Sequence, residues 1–352
     1  MKNDVELLKA MMADSKKQVD LYQPGPFWFA ESIASSKKME KYGITEFRSR
    51  SGLIGQGYTD NICEDPSIIW ETGTWIRRFL KKIRDTSFFR RFILLSFTDS
   101  IKNYYKKSNL YENYFLVNHL RNWFRRIQKV YDLPETTVGG LEDESTVTID
   151  DCKIAKSYLE TIARIDNFSK TVDLTKVKIV FEIGGGFGSN AHSLMSLYPN
   201  IKKYIYLDVA PMLYVGTQYL KHFYPREVKD YRATKNLKSI SIEDNDEREI
   251  ICIAPWQIEK LDGEIDLFWN ASSFQEIPAI YLENYAKHII RLTKNNFQAR
   301  ICLIVYPTDS SLTIQSKEIL DVFGTEIDFT QLSDVFQANL KDPFYYFCGK
   351  PC

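Results

Sequence analysis

The stretch Val180-Phe181-Glu182-Ile183-Gly184-Gly185-Gly186-Phe187-Gly188-Ser189-Asn190-Ala191-His192 decides the fold of this chain. An apolar run ends in a carboxylate, a glycine turn follows, and a helix is predicted to begin after the turn. Glycines remove the Cβ atoms that would keep the backbone away from a ligand, and they permit positive φ angles. The N–H groups at the start of the helix favour an anionic group. The segment therefore predicts a strand–turn–helix unit that binds a nucleotide-like cofactor.

Two cofactors fit the spacing of this loop. A dinucleotide fingerprint needs G-x-G-x-x-G or G-x-G-x-x-A with an acid about 20 residues further on. Gly186, Gly188, Ala191 and Asp208 satisfy this pattern. Glu182 argues against a dinucleotide, because a carboxylate at the end of the strand would repel a pyrophosphate. The same carboxylate suits a cationic amino group, such as that of the methionine part of S-adenosylmethionine. A glycine turn without a ligand is the third interpretation.

The second predicted strand, residues 203–208, favours S-adenosylmethionine. Its last residue, Asp208, can accept hydrogen bonds from both ribose hydroxyls, and Met212 follows four residues later. In this pairing the chain resembles the class I methyltransferases, in which such an acid commonly precedes an apolar residue that contacts adenine. The resemblance implies S-adenosylmethionine as the cofactor. The residues that we assign to the cofactor site in these two segments are Glu182, Gly184, Gly185, Gly186, Gly188, Asn190, Asp208 and Met212.

Length and composition set broad limits. The 352 residues predict two domains, and 44% hydrophobic residues predict folded cores. The net charge of zero gives no reason to expect nucleic acid as a partner. The six cysteines are scattered, and no apolar stretch approaches the length of a membrane span. The first residues lack the apolar core of a signal peptide. A cytoplasmic protein with reduced thiols is expected.

Charge is distributed unevenly along the chain. Residues 75–130 contain 14 Lys or Arg and three acids, whereas residues 131–152 contain seven acids and no Lys or Arg. The acidic stretch, with Gly139 and Gly140 inside it, is predicted to be a linker or surface loop. It divides a mainly helical N-terminal region (1–150), for acceptor binding or oligomerisation, from a cofactor-binding domain (151–352). The basic segment has two interpretations. It could be a patch that binds an anionic acceptor or a membrane surface, or it could simply be a solvated helix face.

From about residue 153 the pattern alternates between helix and strand. Strands are predicted at 177–183, 203–208, 249–254, 265–270 and 299–306, with helices between them, and two late apolar runs predict a final hairpin. The alternation predicts an α/β fold with a doubly wound, mostly parallel sheet. Together with the resemblance it implies the seven-stranded, Rossmann-like sheet of the methyltransferases. Ligands of such sheets bind beyond the carboxyl ends of the strands.

A narrower resemblance rests on three segments: residues 182–199, residues 204–220, and Trp269-Asn270-Ala271-Ser272-Ser273-Phe274-Gln275-Glu276. In these segments the chain is similar to the bacterial sugar O-methyltransferases of surface-polysaccharide clusters. The resemblance implies methyl transfer from S-adenosylmethionine to a sugar hydroxyl. The acceptor would be a carbohydrate or a nucleotide-linked sugar, free or polymeric.

A hydroxyl acceptor needs a base within hydrogen-bond reach. Glu276, after the fourth strand, is the first candidate, with a surface or capping carboxylate as the alternative. His192, one turn into the helix after the glycine loop, is the second, although it could instead anchor the cofactor or fill the core. Asn270, Pro255 and Trp256 are further candidates for cofactor contacts. The candidates for acceptor contacts are Ser272, Ser273, Gln275 and Tyr306.

No His, Cys, Asp or Glu grouping has the spacing of metal ligands, so metal-independent chemistry is expected. Two other functions remain open from the sequence. One is an NAD(P)-dependent sugar oxidoreductase, and the other is a non-catalytic partner in polysaccharide assembly. A homodimer, formed through the aromatic N-terminal half, is a further hypothesis.

Overall fold

The computed structural model describes residues 1–48, 135–140, 146–149, 152–306, 314–336 and 344–352. Within these ranges the helices are α1 (Val5–Ser15), α2 (Pro26–Tyr42), α3 (Lys156–Ser169), α4 (Ser189–Leu197), α5 (Ala210–Phe223), α6 (Tyr231–Thr234), α7 (Ala279–Thr293) and α8 (Ser316–Asp321). The strands are β1 (Thr146–Ile149), β2 (Cys152–Ala155), β3 (Ile179–Ile183), β4 (Lys203–Leu207), β5 (Val228–Lys229), β6 (Ile240–Ile242), β7 (Glu249–Ile253), β8 (Leu261–Gly263), β9 (Leu267–Ala271), β10 (Arg300–Val305), β11 (Ile327–Gln331) and β12 (Tyr345–Pro351).

The central sheet has eight strands in the order β11-β12-β10-β9-β3-β4-β7-β5. Strands β5, β7, β4, β3, β9 and β10 are parallel, whereas β12 is antiparallel to both β10 and β11. The chain proceeds from β3 outward to β7, and then returns to the other side of β3 with β9. The carboxyl ends of β3 and β9 therefore flank the point where the strand order reverses, which is where open α/β sheets bind ligands.

Helices cover both faces of the sheet. On one face α3, α4 and α5 pack against residues such as Val180, Tyr204 and Trp269. On the other face α7 and α8 pack against alternating residues such as Phe181 and Ile205. Every residue of β3 and β4 is buried, which is expected for parallel strands covered on both faces.

The prediction of a doubly wound, mostly parallel sheet with a final antiparallel hairpin is confirmed. The strand count differs from the predicted seven, because the two-residue strand β5 adds an eighth at the edge beside β7. A separate pair, β6 and β8, was also missed, since each strand contributes only three residues. Part of the predicted acidic linker is regular structure, because β1 and β2 form an antiparallel pair. The basic segment 75–130 lies outside the described residues.

The described start of the chain is helical and packs on the sheet domain. Tyr214 of α5 accepts a hydrogen bond from the backbone N–H of Asp4 (2.9 Å) and donates one to Asn3 (2.7 Å). Arg232 Nη2 contacts Asp4 at 2.7 Å. No helix within the described residues combines the length and the apolarity that crossing a bilayer requires.

Arg48 ties this N-terminal region to the glycine loop. Its buried guanidinium donates to the carbonyl oxygens of Thr136 and Val138 and to the Ser157 hydroxyl (2.8 Å). The guanidinium carbon also lies 4.9 Å from the ring centroid of Phe187, which belongs to the loop. One cation therefore connects residues 136–138, α3 and the loop that follows β3.

We expect Arg48→Met to lower the free energy of unfolding by about 2 kcal/mol or more, because it leaves buried carbonyl oxygens without their donor. Urea unfolding would measure the change. Lys41→Met is the control, since Lys41 is exposed and its loss should cost within about 0.5 kcal/mol. Equal stability of the Arg48 variant and the wild type would show that Arg48 does not hold the region together.

Candidate functional site

The glycine loop that follows β3 requires backbone without side chains. Gly184, Gly186 and Gly188 have φ angles of 72°, 62° and 95°, in the left-handed region that favours glycine. A Cβ atom on Gly184 would lie 2.1 Å from Ser273 Oγ, so this turn touches the segment after β9. The two carboxyl ends at the strand-order reversal are therefore in direct contact.

Asp208, at the end of β4, binds the loop from the side. Its Oδ2 accepts a hydrogen bond from the Gly186 N–H at 2.8 Å, and its Oδ1 accepts one from the Val209 N–H at 2.7 Å. Burial raises the pKa of Asp208 to about 8, these two hydrogen bonds lower it, and the charges of Glu182 and Glu276 raise it. Asp208 thus lies at the carboxyl ends of β3, β4 and β9, which we call the cleft, within range of the charges of two other acids.

Glu182 lies beneath the loop and has no exposed surface. A Cβ on Gly185 would meet its Oε2 at 2.7 Å, which places the carboxylate directly under the peptide turn. Asn190 Nδ2 and the Tyr204 hydroxyl each donate to it at 2.8 Å. Burial raises the pKa of Glu182 to about 7, against the effect of these two donors. Direct contact between Glu182 and a ligand stays a prediction, whereas its support of the loop and of Asn190 is observed.

Asn270, at the end of β9, joins the two sides of the cleft. Its Nδ2 donates to the carbonyl oxygen of Ile183 (2.8 Å) and to Ser273 Oγ (2.6 Å). Ser273 in turn donates to the same Ile183 carbonyl at 3.2 Å. The observed contacts of Asn270 and Ser273 hold the glycine loop. The sequence predicted contacts with the cofactor and the acceptor instead, and these stay predictions.

Ser272, between Asn270 and Ser273 in the sequence, has an unusual backbone conformation and a hydroxyl that the described residues leave unpaired. Its φ of 70° is the single positive value for a residue other than glycine among the described residues. Its hydroxyl is buried and has no hydrogen-bond partner within the described part of the chain. A serine rarely adopts this conformation, and such backbone strain concentrates at functional sites.

Glu276 lies at the end of the short 3-10 helix Phe274–Glu276 and is partly buried. Trp28 Nε1 donates to its Oε2 at 2.6 Å, and the Tyr306 hydroxyl donates to its Oε1 at 3.4 Å. Burial raises the pKa of Glu276, while the two donors oppose the increase. Gln275 contacts the backbone of Tyr306 with both ends of its amide, so it fixes Tyr306 beside Glu276.

Three carboxyl groups lie near this cleft: those of Glu182, Asp208 and Glu276, of which that of Glu182 is fully buried. The pKa of each is raised mainly by burial, and that of Asp208 also by the charge of the other two. None of the Lys and Arg side chains in the described ranges forms an ion pair with any of them. Without a cationic partner from the described part of the chain, these groups ionise only as the pH rises past their raised pKa values, and a bound cation would favour their ionised forms.

His192 packs in the core between α3 and α5. Its Nδ1 is 2.5 Å from the Tyr158 hydroxyl, and its ring stacks on Phe223 with centroids 3.7 Å apart. Burial lowers the pKa of His192 to about 3, with a further contribution from His222. Its observed partners lie on α3 and α5 and include none of the three carboxyl groups. The geometry favours the core interpretation of His192 over the catalytic one.

The other predicted cofactor residues flank Asp208. Met212 is buried on α5, and its carbonyl oxygen accepts a hydrogen bond from the Tyr206 hydroxyl at 3.3 Å. Pro255 is buried after β7, whereas Trp256 is half-buried, with its ring centroid 5.9 Å from that of Tyr231. Both follow a strand whose carboxyl end borders that of β4.

Trp28 and the tyrosines 204 and 206 were not predicted as site residues. The aromatic segment 22–28 is conspicuous in the sequence, but its contact with Glu276 spans 248 residues of chain and has no local signal. Tyr204 and Tyr206 belong to a buried strand, and the sequence does not distinguish them from ordinary core residues. Within the described residues, no group of three or more His, Cys, Asp or Glu side chains could hold a metal ion.

Comparison with known proteins gives weak likenesses. No protein-family model and no curated protein sequence matches the chain. Among solved structures, the mitomycin 7-O-methyltransferase MmcR is 11% identical over 55% of each chain, with a TM-score of 0.33. The pyocyanin biosynthetic protein PhzM is 9% identical over 56% of each chain, with a TM-score of 0.37. Human N-acetylserotonin methyltransferase, in complex with SAM, is 13% identical over 55% of this chain and 51% of its own, with a TM-score of 0.33. The chain thus spans about half the length of these structures.

Gly184→Ala should destabilise the protein by about 3 kcal/mol, from left-handed strain and from overlap with Ser273. Gly324→Ala is the matched control, because Gly324 has a φ of 59° and nothing within 4 Å of its Cβ position. The control should lose only about 1 kcal/mol. Urea unfolding of both variants measures the difference, and equal losses would mean that the loop does not press against Ser273.

Proposed function

We propose that this chain is an S-adenosylmethionine-dependent O-methyltransferase that acts on a sugar hydroxyl. The observation that carries the proposal is the cluster of Glu182, Asp208 and Glu276 beside a glycine loop, without a neutralising cation among the described residues. S-adenosylmethionine bears a sulfonium and an ammonium group, whereas a nicotinamide dinucleotide bears a diphosphate. In their ionised forms these carboxyl groups would attract the first cofactor and repel the second.

The residues present fit this cofactor. Each oxygen of Asp208 accepts one backbone hydrogen bond, which leaves acceptor capacity for the ribose hydroxyls. The left-handed φ angles of Gly184, Gly186 and Gly188 shape the turn that would lie against the cofactor. Glu182 would act through its field beneath the loop. When bound, S-adenosylmethionine would supply an electrophilic methyl group.

Glu276 is the proposed general base. A hydroxyl acceptor gives up its proton as the new oxygen–carbon bond forms and the carbon–sulfur bond breaks, and Glu276 would take that proton. The raised pKa of Glu276 suits a proton acceptor near neutral pH. Most of the remaining acceleration would come from holding the two reactants together.

The sugar class of the acceptor is proposed from the resemblance at residues 269–276. The Tyr306 hydroxyl beside Glu276 supports an acceptor rich in hydroxyl groups. A nucleotide-linked sugar would need cations for its diphosphate. The basic segment 75–130, outside the described residues, is the part of the sequence that could supply them.

The affinity for S-adenosylmethionine should rise about threefold to tenfold between about pH 6 and about pH 7, below the pKa of about 7.7–8.0 of an α-amino group. The sign follows from the raised pKa values of Glu182, about 7, and Asp208, about 8. Both groups lose protons over this interval, and the anionic cleft holds a cation better. Isothermal titration calorimetry at the two pH values measures the change.

The same titrations with NADP and S-adenosylhomocysteine provide the contrast. S-adenosylhomocysteine lacks the sulfonium charge and should show a smaller rise. Binding of NADP alone would overturn the proposal and favour an oxidoreductase.

Glu276→Gln should lower turnover by about a hundredfold or more and change cofactor affinity by less than about threefold. The variant keeps the shape of the side chain but cannot accept the proton. Turnover is measured with methyl-labelled S-adenosylmethionine on sugars and nucleotide sugars, using an acceptor that the wild type methylates. Equal losses of turnover and affinity would remove Glu276 from the base role.

Asp208→Ala is the companion variant, expected to lose cofactor binding. If it left methylation in cells unchanged, a non-catalytic role in polysaccharide assembly would be favoured instead.

A further inference from the structure

The start of α2 lies directly on the segment that carries Glu276. A Cβ on Gly25 would be 2.7 Å from Pro278 Cδ and 3.3 Å from the carbonyl oxygen of Glu276. Tyr22, just before this point, donates to Glu259 and accepts a hydrogen bond from Asn284 at 3.3 Å. Residues 22–28 are therefore anchored at two places beside the candidate base.

Trp28 makes the shortest hydrogen bond to that base. Its indole N–H donates to Glu276 Oε2 at 2.6 Å, while the Tyr306 hydroxyl is 3.4 Å from Oε1. An indole N–H can only donate, so it stabilises the carboxylate form of its partner. Trp28 and Tyr306 are far apart in the sequence, and together they bind both carboxylate oxygens of Glu276.

Another influence on Glu276 acts in the opposite direction. Burial disfavours its charge. The charge of Glu276 in turn raises the pKa of Asp208. Among the described residues, Tyr306 and Asp208 are the titratable groups that interact with it. A donor from α2 therefore counteracts the burial that would protonate the base.

We propose that Trp28 is a positioning residue for methyl transfer, whose indole N–H holds Glu276 in one orientation and in its proton-accepting form. This inference rests on the proposed function. It makes the N-terminal segment part of the active site, although the cofactor loop lies more than 150 residues later in the sequence. The base and its cofactor cleft would be incomplete in the sheet domain alone.

The test is Trp28→Phe, which removes the N–H and keeps an aromatic ring. The acid limb of the pH profile of kcat should move upward by about one pH unit or more, because a hydrogen bond to a charged group is lost. At about pH 6.5 kcat should fall roughly tenfold, and at about pH 9 it should recover to within twofold of the wild type. Affinity for S-adenosylhomocysteine should stay within about twofold.

Tyr306→Phe is the matched comparison, with a smaller shift expected from its longer contact. An unchanged pH profile in Trp28→Phe would overturn the proposal. A uniform loss of kcat at every pH would also overturn it, because that result indicates a packing role only.

A second measurement needs no turnover. The chain has six tryptophans, so labelling with ¹⁵N-tryptophan gives six indole signals, and Trp28→Phe identifies the relevant one. This signal should titrate with Glu276, and Glu276→Gln should abolish the titration. A signal that does not respond to pH or to Glu276→Gln overturns the proposal. If the signal responds but S-adenosylmethionine does not bind, the contact stands and the proposed function fails.

Discussion

The carboxylate of Asp208 joins the backbone of two strands, and the cleft depends on this junction. Its two oxygens accept from the N–H groups of Gly186 and Val209, one in the turn after β3 and one after β4. The turn can approach Asp208 only because its glycines adopt left-handed φ angles. On the opposite side Ser273 fills the space that a side chain on Gly184 would need. Asn270 and Ser273 also hold this loop, through the carbonyl oxygen of Ile183.

Much of the fold could be predicted from the sequence, because its strands are continuous apolar runs with clear ends. The runs at 177–183 and 203–208 are β3 and β4 to within two residues. Short elements such as β5 and β6 were missed, since two or three residues carry no measurable periodicity. The β1–β2 pair was not predicted. The acidic composition of this stretch predicted a linker, and composition alone does not indicate which residues pair as strands.

The sequence predicted the positions of some candidate site residues but not the directions in which their side chains point. The positions of Glu182 and Asp208 beside the glycine turn could be predicted, because both belong to clear strand ends. Their role as ligand contacts stays a prediction. The orientation of a side chain is not encoded locally. His192 follows the loop, yet it points into an aromatic core with Tyr158 and Phe223. Trp28 precedes the sheet domain, yet it contacts Glu276.

The left-handed backbone of Ser272 has a consequence for the stability of the whole molecule. A non-glycine residue in this region costs about 1 kcal/mol or more, and the buried, unpartnered hydroxyl adds to that cost. A glycine at this position would relax the turn and make the protein more heat-resistant. It would also delete a buried hydroxyl that no described group of the protein satisfies. The present sequence therefore keeps a conformation at residue 272 that lowers the stability of the fold.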